Sequence, residues 1–253
     1  QPAWPPVPGA ATTQGDILHS ASYRNGQSHR GQRILVVGSG NSAFEIALDL
    51  VECGASRVSL LVNGPRWVIP IRRFESAMLE ARASGAFDPS MITAAHSAER
   101  GGAAYATHVG AFDALLRSLA VDVSDLGIDT PIDGPWHTAI ETGRVCVFDH
   151  GALALMRSGE IEVIHDRVVT FDGGRVSFAV HAPRTFDTVI LATGYRPGLG
   201  DFISDPTMLH LDPARREVFP RTDGRCQSLV APGLYFVGFD MSPWGGMAHG
   251  HWG

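Results

Sequence analysis

The sequence contains no lysine and only three cysteines among its 253 residues. Without lysine, no side chain of this sequence can form a Schiff base with a carbonyl compound. Cys53, Cys146 and Cys226 are odd in number, lie far apart and form no C-x-x-C pair. This spacing argues against a disulfide framework, a zinc site and a dithiol redox centre.

Long apolar runs and a surplus of positive charge are also absent. No run approaches the ~20 apolar residues that a helix needs to cross a bilayer, and the N-terminus has no charged region followed by an apolar one. A formal net charge of -6 offers no basic surface for nucleic acid and no cationic face for a membrane. We therefore expect a globular, cytoplasmic protein without nucleic-acid or membrane partners.

The sequence is organised around an apolar run that enters a glycine-rich turn. Ile34 to Val37 are four consecutive apolar residues, typical of a strand buried on both faces of a parallel sheet. The pattern that follows is G-x-G-x-x-A, in which Gly38 permits a tight turn, Gly40 the approach of a diphosphate, and Ala43 close helix packing. A second apolar run, Arg57 to Val62, completes a βαβ unit. We predict a dinucleotide at the loop formed by Gly38, Ser39, Gly40, Asn41, Ser42 and Ala43.

Hydrophobic periodicity and turn residues predict the remaining elements. The proline-rich start, Gln1 to Gly9, is expected to be an extended connector, Gly15 to Gly26 a loop, and Gly64 to Pro70 an irregular loop. The expected helices are Phe74–Ala83, Gly110–Ala120 and Gly151–Arg157. The expected strands are Val145–Phe148, Thr188–Leu191, Leu234–Val237 and a meander or hairpin of Ile161–Ile164, Arg167–Phe171 and Arg175–Phe178.

Four stretches spread over the chain form a recognisable set. They are Gly15–Tyr23, which reads G-x-x-x-H-S-x-x-Y, and the segments Val37–Ala43, Leu191–Tyr195 and Gly233–Phe239. Together they resemble the flavin-containing monooxygenases, especially the branch of the plant YUCCA enzymes and their bacterial relatives. In that family they correspond to the F-x-G-x-x-x-H-S-x-x-Y motif, the NADPH loop, the L-A-T-G-Y link and a late strand of the flavin domain. Thr13 stands where the family motif has Phe.

The resemblance implies an α/β flavoprotein in which a Rossmann-like NAD(P)-binding domain is inserted into an FAD-binding domain. We expect residues 1–30 to be a connector and remnant of the FAD-binding domain, residues 31–190 the NAD(P)H-binding domain, and residues 191–253 the C-terminal part of the FAD-binding domain. The family's FAD phosphate loop has no counterpart before Arg33. We therefore expect an incomplete chain or a separate polypeptide that supplies this loop.

The resemblance implies FAD and NADPH as cofactors. No acidic residue ends the second strand to bind the 2′-hydroxyl of NADH, whereas Asn63 and Arg66 follow it, and Arg66 can reach a 2′-phosphate. The link Ala192, Thr193, Gly194 and Tyr195 is expected to lie beside the cofactors between the domains. Because the family residue placed over the flavin has no counterpart here, no catalytic residue is assigned. No metal is proposed, although Trp244, His249, His251 and Trp252 crowd the C-terminus.

The implied activity is a monooxygenase that inserts one atom of dioxygen into a small nucleophilic or keto-acid substrate through a flavin C4a-hydroperoxide. Two alternatives remain open at this stage. One is a two-dinucleotide NAD(P)H:FAD reductase, which the lack of a C-x-x-C pair disfavours. The other is a truncated, non-catalytic NADP-binding protein, which the lack of an FAD loop favours.

Overall fold

The computed structural model describes residues 1–10, 17–85, 103–212, 217–223 and 226–236. The helices in these ranges are α1 (Asn41–Glu52), α2 (Ile71–Ala83), α3 (Ala103–Leu119), α4 (Pro135–Thr142) and α5 (Ala152–Ser158). The strands are β1 (Ile17–His19), β2 (Arg33–Val37), β3 (Arg57–Val62), β4 (Val68–Pro70), β5 (Val147–Asp149), β6 (Ile161–His165), β7 (Val168–Asp172), β8 (Arg175–Phe178), β9 (Arg184–Thr185), β10 (Thr188–Leu191), β11 (Leu209–Asp212) and β12 (Glu217–Pro220). No described helix is long and apolar enough to cross a membrane.

The central element is a parallel sheet of five strands in the order β1-β10-β2-β3-β6. Its middle strand, β2, begins at Arg33 and is fully buried from Ile34 to Val37. Side chains of a strand alternate between the two faces of the sheet, and both faces here are covered. The continuous apolar run is therefore explained, and the mixed α/β fold expected from the sequence is confirmed.

The two faces of the sheet carry different layers. Ile34 and Val36 pack in the core that α1 and α5 cover, through residues such as Phe44 and Leu50. Leu35 and Val37 point to the opposite core. There the antiparallel sheet β7-β8-β9 supplies its buried aromatic and aliphatic side chains, which include Phe171, Val176 and Phe178.

A third layer is inserted between β3 and β6. Strands β4 and β5 pair in parallel, and helices α3 and α4 pack against them around Ile69, Leu116 and Trp136. Helix α4 begins with Pro135 at its first position and is followed by Gly143 in the left-handed conformation, as helix-capping preferences favour. The insertion starts and ends at the carboxyl edge of the central sheet, where β3 ends.

Several predicted boundaries agree closely with the structure, and four predictions were wrong. Residues Ile17 to His19 form edge strand β1 rather than a loop, because they gain a parallel ladder with β10. Residues Val68 to Pro70 form β4, again through a distant partner. The segment at Ile161 joins the central parallel sheet instead of the meander, which consists of β7, β8 and β9.

The fourth wrong prediction is a buried strand at Leu234–Val237. Leu234 and Tyr235 are exposed, and within the described residues the segment pairs only through an isolated bridge between Tyr235 and Gln227. A buried strand needs a ladder of backbone partners, which this segment does not have here. Val237 lies outside the described residues.

Candidate dinucleotide-binding site

The predicted cofactor residues converge on one edge of the central sheet. Because its strands are parallel, their carboxyl ends lie together, and ligands of open α/β sheets bind at that edge. Gly38 follows β2, Asn63 follows β3 and Ala192 follows β10, and these three strands are neighbours in the order β10-β2-β3. The structure therefore places the glycine loop between the other two predicted segments.

Gly38 is where the chain turns sharply out of β2. Its φ of 141° is a conformation that favours glycine, and its N–H donates to the carbonyl oxygen of Leu61 at 3.1 Å. A Cβ at this position would lie 2.2 Å from the carbonyl oxygen of Ala192. The N–H of Ala192 donates to the carbonyl oxygen of Val37 at 2.8 Å. A glycine at position 38 therefore allows the ends of β2 and β10 to lie close together.

Gly40 lies at the N-cap of α1, and the space above it is open. A Cβ built on Gly40 would meet no heavy atom within 4 Å. No side chain caps the helix, so the N–H groups of its first turn have no side-chain acceptor there. A helix N-terminus with open space before it favours the oxygens of a diphosphate. Residues 38 to 43 thus have the form that the sequence predicts for a dinucleotide loop.

Ser39 provides a second sign that this loop receives a polar ligand. The residue is only 3% exposed, yet its buried hydroxyl has no hydrogen-bond partner among the described residues. A buried hydroxyl without a partner costs about 1–3 kcal/mol. A bound ligand that offers an acceptor would remove this cost.

The other predicted loop residues have distinct roles. Ala43 is fully buried under the sheet, as expected for close helix packing. The Asn41 amide is occupied by the protein: it donates to the carbonyl oxygen of Cys146 at 3.0 Å and accepts from the N–H of Phe148 at 2.7 Å. This side chain ties the glycine loop to β5 of the insertion. Ser42 is exposed.

Arg66 reaches the glycine loop from the segment after β3. Its Nε donates to the carbonyl oxygen of Ser39 at 2.9 Å, and its Nη1 donates to that of Pro65 at 2.9 Å. Burial, and then the positive charge of Arg144, lowers the pKa of Arg66 to about 10. A guanidinium in this position is poised to attract an anion. Asn63 is exposed nearby on the same segment.

The predicted link after β10 contacts two earlier segments. Gly194 turns with φ at +83°, and its carbonyl oxygen accepts from the N–H of Ala3 and lies 3.1 Å from Nε2 of His19. The Thr193 hydroxyl donates to the carbonyl oxygen of Ala3 at 2.6 Å. The Tyr195 ring stands edge-on to the His19 ring and is 43% exposed. The first three residues thus run antiparallel to this link, whereas the predicted extended connector ends in a turn at residues 8–10.

Sequence reasoning missed Arg144, which lies about 80 positions after Arg66 in an exposed turn before β5. No local pattern marks this arginine, because its proximity to the loop depends on how the insertion returns to the sheet. Among the described residues, no group of three or more His, Cys, Asp or Glu side chains is arranged to hold a metal ion. Thr13, Gly15 and residues 237–253, which include the terminal Trp and His residues, lie outside the described ranges.

The fold is similar to that of two solved flavoproteins. A flavin-containing monooxygenase from Stenotrophomonas maltophilia matches 98% of this chain and 56% of its own, with a TM-score of 0.53 and 16% identity. A bacillithiol disulfide reductase from Bacillus cereus matches the same shares, with a TM-score of 0.52 and 17% identity. The fold is that of the flavoproteins with two dinucleotide-binding domains.

Sequence comparison finds similar proteins among the flavin-dependent monooxygenases. A family model of pyridine nucleotide-disulphide oxidoreductases matches residues 1–81. Indole-3-pyruvate monooxygenase YUCCA4 of Oryza sativa subsp. japonica is 30% identical over 246 residues, which cover 94% of this chain and 49% of that protein. The probable indole-3-pyruvate monooxygenase YUCCA10 of Arabidopsis thaliana is 28% identical over 236 residues, which cover 93% and 55%.

The chain is thus similar in sequence to flavin-dependent monooxygenases, as the resemblance seen in the sequence indicates. It spans about half the length of the curated relatives that it matches.

Proposed function

We propose that the chain is the NADPH-binding part of an FAD- and NADPH-dependent monooxygenase. The observation that carries the proposal is the glycine loop at Gly38 to Ala43, with open space above Gly40 and a buried, unpartnered hydroxyl on Ser39. Similarity to flavin-dependent monooxygenases supplies the reaction class. NADPH is preferred to NADH because a guanidinium, and no carboxylate, contacts the loop from the end of β3.

In this proposal the protein binds and orients the nucleotide. The N–H groups at the start of α1 hold the diphosphate, and Ser39 gains an acceptor for its hydroxyl. Arg66 offers its remaining N–H groups to the 2′-phosphate of the adenosine. The link from Ala192 to Tyr195 lines the path from this edge toward the flavin domain. We also propose the domain division 1–30, 31–190 and 191–253, with β1 extending the nucleotide-binding sheet by its ladder with β10.

The described residues fit NADPH better than they fit FAD. They contain a single strand, glycine turn and helix of the dinucleotide-binding type, from β2 to α1. In this proposal that unit binds NADPH. When bound, FAD supplies the redox chemistry that accepts a hydride and activates dioxygen. The FAD diphosphate requires a further βαβ unit, which belongs either to the same polypeptide or to a separate chain.

The proposed substrate is a small nucleophile or a 2-oxo acid, together with dioxygen. Two of the matching relatives are named as indole-3-pyruvate monooxygenases, and indole-3-pyruvate is a 2-oxo acid. A bacterial, cytoplasmic setting belongs to the same proposal, because basic residues that are all arginine are typical of a GC-rich genome.

The runner-up function is an NAD(P)H-dependent flavin reductase, which the likeness to a bacillithiol disulfide reductase in fold favours. Cys53 and Cys146 are free thiols, and burial raises the pKa of the Cys146 thiol to about 12. A thiol with so high a pKa is a poor nucleophile for disulfide exchange at neutral pH. The reductase therefore takes second place.

Anaerobic reduction of bound flavin tests the proposal. We expect the complete protein, loaded with FAD, to lose its flavin absorbance when NADPH is added, and to do so much more slowly with NADH. Protein that binds NADPH without holding any flavin would instead favour a non-catalytic nucleotide-binding protein. Protein whose reduced flavin transfers electrons to a disulfide, and not to dioxygen, would favour the reductase.

A further inference from the structure

The two ends of the insertion hold the glycine loop on both sides of Gly40. At the start of the insertion, Nε of Arg66 donates to the carbonyl oxygen of Ser39 at 2.9 Å. At its end, the amide of Asn41 forms two hydrogen bonds with the backbone at β5, which span 105 and 107 positions of the sequence. The conformation of this short loop therefore depends on residues that are distant in sequence.

The amide of Asn41 uses both of its ends on the protein. Its Nδ2 donates to the carbonyl oxygen of Cys146 at 3.0 Å, and its Oδ1 accepts from the N–H of Phe148 at 2.7 Å. These two backbone groups belong to alternate residues of one extended segment, so they lie on the same side of it. The amide thus takes the place that a neighbouring strand would have, and the backbone N–H of Asn41 is the group that is left for a ligand.

The segment that holds Asn41 is itself fixed within the insertion. Strand β5 pairs in parallel with β4, and the N–H of Val147 donates to the carbonyl oxygen of Trp67 at 2.8 Å. Val147 is fully buried. At the end of the strand, the Asp149 carboxylate accepts from the N–H of Leu153 at 3.0 Å, in the first turn of α5. Strand β5 is therefore a rigid support for the side chain that it holds.

Asn41 is also the first residue of α1, which faces the proposed diphosphate site. The N–H groups of Asn41 and Ser42 have no acceptor among the described residues. The buried hydroxyl of Ser39, which also has no partner there, lies in the same loop. Donors that already point at the position of an anion bind it more tightly, because less ordering is needed on binding.

We propose that Asn41 is a positioning residue, through which the insertion orients the first N–H groups of α1 toward the diphosphate of the nucleotide. This inference rests on the proposed function, because it assumes that the diphosphate lies on the glycine loop. Energetic coupling between two sites is reciprocal, so the bound nucleotide should in turn stabilise β5.

Calorimetric titration of the complete protein with NADP⁺ and with 2′-AMP isolates this role, because 2′-AMP has no diphosphate. We expect Asn41→Ala to weaken NADP⁺ binding about tenfold and to leave 2′-AMP binding unchanged. Thr188→Ala is the matched control, because it removes a buried hydrogen bond, to Gln32, at the opposite edge of the same sheet. It should change neither affinity.

Hydrogen exchange measured by mass spectrometry tests the reciprocal effect in the wild-type protein, without any variant. We expect saturating NADP⁺ to slow exchange about tenfold in the peptide that contains the N–H of Phe148. Exchange in β8, which belongs to the antiparallel sheet on the other face, should not change.

Each contrary outcome has a distinct meaning. If the wild-type protein binds NADP⁺ and Asn41→Ala binds it equally well, the positioning role is overturned while the proposed function stands. The same conclusion follows if exchange at Phe148 does not respond to NADP⁺, or if Asn41→Ala weakens NADP⁺ and 2′-AMP equally, since the variant would then act on the fold as a whole. If the wild-type protein binds no NADP⁺, the proposed function fails, and the inference fails with it.

Discussion

Nε2 of His19 lies 3.1 Å from the carbonyl oxygen of Gly194, which is 175 residues later in the chain. Nδ1 of the same ring accepts a hydrogen bond from the N–H of Ala21. Since a carbonyl only accepts and a backbone N–H only donates, the ring carries its proton on Nε2 and is neutral. His19 thus joins two of the family landmarks, the H-S-x-x-Y stretch and the L-A-T-G-Y link.

This neutral state makes a prediction about pH. Burial lowers the pKa of His19 below its usual 6.5, although the bond to Gly194 opposes the shift. The contribution of neutral His19 to the free energy of unfolding should therefore be complete above pH 6.5. It should be lost as the pH falls through the lower pKa of the folded state. Unfolding in urea at several pH values measures it. The control is His19→Gln, which can still donate to Gly194 but cannot titrate. A wild-type protein with the same pH dependence as this variant would contradict the account.

Replacing Gly38 or Gly40 by alanine should affect different properties of the protein: stability at Gly38 and NADPH affinity at Gly40. Gly38→Ala should destabilise the protein by about 1–3 kcal/mol from its backbone conformation alone, with the clash against Ala192 in addition. Gly40→Ala should keep its free energy of unfolding within about 1 kcal/mol, because φ is -91° and the space is open. It should nevertheless lose NADPH affinity, since the methyl group occupies the diphosphate site. Unchanged NADPH binding in Gly40→Ala would place the nucleotide elsewhere.

The Asn41 side chain should stabilise the fold, in addition to lying beside the proposed cofactor site. Asn41→Ala removes the donor to the Cys146 carbonyl oxygen, just before β5, and the acceptor of the Phe148 N–H, within β5. It should lower the free energy of unfolding by about 1–3 kcal/mol. The exposed neighbour Ser42 supplies the control: Ser42→Ala should stay within about 0.5 kcal/mol of the wild type. Equal stability of the two variants would show that the tie between the loop and the insertion contributes nothing.

The ion pair between Glu162 and Arg184 should make the free energy of unfolding decrease at acidic pH. The Arg184 guanidinium, together with the Ser59 hydroxyl and Arg57, lowers the pKa of Glu162 to about 2. This stabilisation should be present above pH 4.5 and be lost as the pH falls toward 2. Glu162→Gln should cost about 1 kcal/mol at neutral pH and should flatten the pH dependence in that window. Urea unfolding of both proteins from pH 5 to pH 2 measures the difference, and parallel curves would refute the assignment.

The sequence analysis predicted most accurately those elements that depend only on residues close together in the sequence. The unit from Arg33 to Val62 follows from an apolar run, a glycine turn and helical spacing, and its strands and helix agree with the structure almost to the residue. The same holds for Arg175–Phe178 and Thr188–Leu191. Each of these segments carries its own hydrophobic pattern and its own turn residues, so no distant partner is needed to recognise it.

Elements that depend on distant partners were not predictable. β1 is three residues long and exists because β10 pairs with it, and β4 exists because β5 does. In the site, Arg66 is marked by its position just after β3. Arg144 has no comparable signal, because only the return of the insertion to the sheet edge brings it beside Gly64.

The central claim is the proposed function, in which NADPH bound at the glycine loop drives the insertion of one oxygen atom into an organic substrate. The most direct measurement is mass spectrometry of the product formed in ¹⁸O₂ by the complete protein with FAD, NADPH and indole-3-pyruvate or another 2-oxo acid. We predict one labelled oxygen atom in the product for each NADPH consumed, and no such product with the Gly40→Ala variant. NADPH consumption that yields only hydrogen peroxide or a reduced disulfide, with no label in any organic product, would contradict the account.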